Sequence, residues 1–137
     1  MIRSVVTVFW ASVIVFIMLL ALYFAGPALG YASTVAIISL ALAFFVLGIL
    51  LCILAAWSAM DGALKRFLLL TGGSAAGIVV SIVLHSIVSG LFVEFWESSG
   101  RGDEPFFFIM GIIVLPIAYV VGVIGSIALM ARGRLKQ

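Results

Sequence analysis

The sequence predicts an all-α membrane protein, an antiparallel bundle of four transmembrane helices, and three observations predict it. First, 66% of the 137 residues are hydrophobic and only 9% are charged, where a soluble domain carries roughly 25% charged residues because its surface faces water. Mean hydropathy is correspondingly high, at +1.47. Second, four apolar stretches each reach the about 20 residues needed to cross roughly 30 Å of hydrocarbon. Third, the charges fall between those stretches and are sorted by sign. Residues 1–137 are expected to form a single four-helix domain.

The first span covers about residues 5–25 and is expected to close at Gly26-Pro27. Its apolar run is too long for the h-region of a secretory signal peptide. The second span covers about 33–57, the third about 66–92, and the fourth about 106–131, opened by Pro105. None alternates with period two, and all are longer than the 9–11 residues of a barrel strand, so helices are the reading.

Orientation follows from the charges. Arg3, Lys65, Arg66, Arg132, Arg134 and Lys136 lie before the first span, between the second and third, or after the fourth, with Asp61 as the one acid among them. The loop between the third and fourth spans holds Glu94, Glu97, Asp103 and Glu104, with Arg101 alone. A basic excess marks the cytoplasmic side, so both termini are expected inside a plasma (inner) membrane of a prokaryote, and the acidic loop outside. Trp10 and Trp57 near the inner ends, with Tyr23, Phe24, Tyr31, Trp96 and Phe106–Phe108 near the outer ends, form the expected aromatic belts.

Small residues let membrane helices approach closely. The third span carries Gly73, Gly77, Ser81, His85 and Ser89 at four-residue spacing, the fourth carries Ala118, Gly122 and Ser126, and the second carries Gly48, Cys52 and Ala56. The third and fourth spans are expected to pair, with the second packing on the third. The same faces suit contacts within one bundle and contacts between protomers. Pro116 removes a backbone donor and crowds the carbonyl of Ile112, which predicts a kink. Tyr119, one turn on, needs a hydroxyl partner in a dry setting.

His85 is the single histidine, and an ionisable group inside a span is a functional-site hypothesis. Ser81, Ser86 and Ser89 share its helix, and Tyr119 is within reach if the fourth helix lies alongside. One reading has a neutral His85 locking two helices by a hydrogen bond. The other has it lining a path for protons or another small solute, with the outer acidic loop concentrating cations. Asp103-Glu104-Pro105 also has the form of a helix start.

Enzyme templates fail on inventory. One histidine and one cysteine cannot make a structural zinc site, and there is no Gly-x-Ser-x-Gly, His-Glu-x-x-His or phosphate-binding loop. No metal, cofactor, nucleic-acid partner or catalytic residue is expected. The first span lacks the acid of the small multidrug transporters, and the chain lacks the cysteine pairs of vitamin K epoxide reductases, tetraspanins and claudins. The function expected is that of an accessory subunit or homo-oligomer, acting through helix contacts in the lipid bilayer or in a larger membrane complex. The alternative is a small oligomeric channel or transporter.

Overall fold

A computed structural model describes residues 2–29, 31–60, 62–95 and 105–134. These are almost entirely helical: α1 Ile2–Leu29, α2 Tyr31–Trp57, α3 Ala63–Phe95, α4 Pro105–Ile109, a π-helical turn Met110–Val114, and α5 Leu115–Arg134. The last three run on as one fourth helix. Four helices are thus long and apolar enough to cross a membrane, over Ile2–Ala25, Thr34–Trp57, Ala63–Leu91 and Phe106–Arg132.

The first helix does not close at Gly26-Pro27 as expected; its backbone continues to Leu29. A proline so near a helix end forfeits one i→i−4 bond and leaves the rest of the ladder intact. The disturbance expected at Pro116 takes the form of the π turn before it. The Leu115 amide bonds back to the Met110 carbonyl, five residues away, and widens the helix just where the proline ring would crowd it.

Between α2 and α3 the chain turns within a few residues. Gly62 adopts φ +81°, a left-handed conformation open to glycine at little cost. Lys65 reaches back to the unpaired carbonyls at the end of α2, donating from Nζ to Ala56 O at 3.0 Å and to Ser58 O at 3.5 Å. A cation there also suits the negative end of the helix dipole. Ser58 Oγ donates to Ala55 O at 2.7 Å, so the side chains of Ser58 and Lys65 both find partners at the end of α2.

Val5 and Phe9 from the start of α1, Leu51 and Ala55 from the end of α2, and Leu68 from the start of α3 form one core cluster, against which Val123 and Met130 of α5 pack. Meeting in that order means that successive helices run in opposite directions. Beside this apolar core the bundle buries several hydroxyls, and its outer surface is apolar. Ser12, Thr71, Ser74, Ser81 and Ser126 are buried, while isoleucine, valine and leucine side chains of every helix face outward.

Candidate functional site

The site begins where α3 meets its two neighbours. A β-carbon added at Gly48 of α2 would lie 2.8 Å from both the Ala76 amide nitrogen and the Gly72 carbonyl oxygen. One at Gly72 would lie 2.7 Å from Cys52 Sγ. Glycine at both positions lets two backbones touch. On the other side of α3, a β-carbon at Gly122 would come within 2.9 Å of the Thr71 amide nitrogen. The seam with the fourth helix then continues through Gly77 against Leu115, Ser81 against Gly111 of the π turn, and His85 beside the Phe108 ring, whose centroid is 5.4 Å away.

Gly77, Ser81 and His85 therefore face the fourth helix, whereas Gly73 does not. It is exposed, and nothing lies within 4 Å of where its β-carbon would be. The expected single stripe fails there because a four-residue step advances about 40° beyond a full turn. Three steps back from His85 carry Gly73 out of the seam, and Thr71 and Ser74 are buried in its stead. Ala56 is likewise exposed, while Ala55 beside it is buried. On α5, Gly122 and Ser126 are buried and Ala118 is half-buried.

Tyr119 finds its partner on α1, not at His85. Its hydroxyl lies 3.1 Å from Ser12 Oγ, and Ser12 sends its own proton to the Phe9 carbonyl at 3.0 Å, so Tyr119 is the donor. Its ring sits 4.6 Å from Phe16 of α1 and 5.3 Å from Phe44 of α2 by centroid. One side chain thus ties α5 to both helices of the first hairpin.

His85 Nδ1 and Ser89 Oγ, one turn apart on α3, are buried and have no hydrogen-bond partner among the described residues. Ser89 stands out because Thr7, Ser39, Thr71 and Ser86 all return their proton to the carbonyl four residues back. A buried polar atom without a partner calls for one. Ser126 Oγ is a third such atom, near the end of α5. Pro116 faces outward in a shallow apolar groove with Ile112, Ile113, Ile117, Val120 and Val121, so no polar cavity forms around it.

No family model, curated protein or solved structure matches this chain. Among the described residues no three His, Cys, Asp or Glu side chains gather as metal ligands would. The side chain of Glu94, and Glu97, Asp103 and Glu104 altogether, lie outside the described residues, as do Asp61, Arg101 and Lys136. Sequence reasoning missed Ser12, Thr71, Gly72 and Gly111. Gly72 carries a faint signal, since with Gly48 it completes a pair of glycines on helices joined by a short turn.

Proposed function

We propose that this chain is a multi-pass protein of the plasma membrane, with the Lys65 turn and both ends cytoplasmic, that works through helix contacts as an accessory subunit or homo-oligomer and has no catalysis of its own. The observation that carries this reading is the outer surface: large aliphatic side chains are exposed on all four helices, while hydroxyls share the interior with the apolar core. That arrangement is stable where hydrocarbon is the surrounding solvent and costly in water. The charge asymmetry supports the orientation.

Gly73, like Gly90, is a small residue of α3 with open space beside it and so is open to contact with another chain, whereas Gly77 is already filled by Leu115. A Gly73→Leu variant keeps the fold and loses assembly, as read by crosslinking and by size in mild detergent. Normal assembly of that variant removes the contact reading at this face.

A second reading, a small oligomeric channel or transporter, draws on His85 and Ser89. Nineteen residues separate Arg66 from His85, a rise of about 28 Å. With Arg66 at the inner boundary, His85 then sits at the outer edge of a roughly 30 Å hydrocarbon layer rather than deep within it. Its Nδ1, enclosed and without a partner among the described residues, would take one only from a group that enters the seam beside Phe108. Liposome flux that falls in His85→Ala supports this reading, and flux absent from the wild type removes it.

A further inference from the structure

One end of the bundle carries a ring that neither reading above uses. Val5, Ala55 and Leu68 belong to one core cluster, and Met130 packs against it. Two residues outward from each of these along its own helix stand Arg3, Trp57, Arg66 and Arg132. Two residues rise about 3 Å and turn the side chain to the opposite face, so one side chain from each of the four helices stands outside the core at this end. All four are exposed, Trp57 at 80%. Lys65, which also lies at this end, is not part of the ring because its ammonium is engaged on the carbonyls of Ala56 and Ser58. In the sequence, this end of the chain holds six basic residues against one acid, Asp61.

We propose that Arg3, Arg66 and Arg132 form a binding site for the phosphates of anionic phospholipids, with Trp57 seated among the headgroups. This rests on the membrane reading given above. Guanidinium groups take phosphate oxygens in paired hydrogen bonds. A tryptophan with an apolar body and one N–H donor settles where acyl chains give way to headgroups. Three exposed cations on separate helices at one end match a sheet of lipid phosphates better than they match a single compact anion, whose charge one or two guanidiniums would neutralise.

The test uses the full chain, purified in mild detergent and loaded with an equimolar mixture of phosphatidylglycerol and phosphatidylcholine. Native mass spectrometry then counts the lipids retained. Phosphatidylglycerol should be retained preferentially, with the preference falling roughly fivefold for each arginine changed to glutamine. The R3K/R66K/R132K variant should keep most of it, which separates charge from damage to the fold, and added salt should weaken it. Equal retention of the two lipids by the wild type, or an unchanged preference in R3Q/R66Q/R132Q, overturns the proposal. Flotation of the reconstituted wild type with liposomes, resistant to carbonate extraction, tests the membrane reading separately. A chain that floats but shows no lipid preference sinks the site alone.

Discussion

The two halves of the bundle are packed differently. Every described residue that is buried lies toward the Lys65 turn: up to Ser12 in α1, from Phe44 onward in α2, up to Ser81 in α3, and from Gly111 onward in the fourth helix. In that half the backbones touch at Gly48 and Gly72, and at Gly122 and Thr71. In the other half no residue whose burial is described is buried, and His85 and Ser89 lie there half-buried, their Nδ1 and Oγ without a partner among the described residues. The difference teaches that, among the described residues, close packing of the four helices is drawn from one end. One half holds the four helices together. The other carries two of the three enclosed polar atoms that lack a partner among the described residues, the third, Ser126 Oγ, lying in the packed half.

The largest effect is expected from Gly48→Leu. Its side chain has to displace backbone atoms of α3, which cannot yield as a flexible side chain can. A loss at or above the about 3 kcal/mol end of overpacking costs is expected, read as the collapse of cooperative unfolding in mixed micelles. A fully folded variant would show that the packed half is looser than the Gly48–Gly72 contact implies.

Tyr119→Phe comes next. It removes one hydrogen bond to Ser12 and keeps the ring contacts with Phe16 and Phe44. A loss of about 0.6 kcal/mol is expected, since Ser12 retains its bond to the Phe9 carbonyl. A much larger loss would mean that the hydroxyl, rather than the ring, holds α5 to the first hairpin.

In the thinly packed half, His85→Leu combined with Ser89→Ala should leave the stability of the isolated chain unchanged or slightly raised, because neither polar atom has a partner to lose among the described residues. A clear destabilisation in detergent would instead reveal a filled hydrogen bond and erase the contrast between the halves. The smallest effect is expected from Gly73→Leu, within about 0.5 kcal/mol of wild type in the same assay, because the new side chain enters open space.

Much of the architecture is legible in the sequence. The four apolar runs gave four helices, and Pro105 opens the fourth as its sequence suggested. The pairing of the third helix with the second and fourth was readable from small residues, and Gly77 and Gly122 do face their neighbours. What failed was finer. Of the adjacent glycines 72 and 73, the sequence favoured the outward-facing one, because spacing along one helix carries no information on where the next helix lies. Tyr119 was known to need a partner, but Ser12 stands 107 residues away on a helix whose pattern of apolar residues has no polar face to betray it. Lys65 counted only as a cytoplasmic charge until the turn showed it closing the end of α2.

By itself the sequence determined the number of helices, their approximate extent and the separation of basic from acidic connections, since each follows from transfer free energies that depend on local composition. Tertiary structure alone decided which glycine is covered, which of the described hydroxyls are satisfied, that the described buried residues gather at one end, and that three arginines and a tryptophan are exposed beside them. Those features depend on the register between helices, and that register is set by close contact between backbones, a quantity that no single segment encodes.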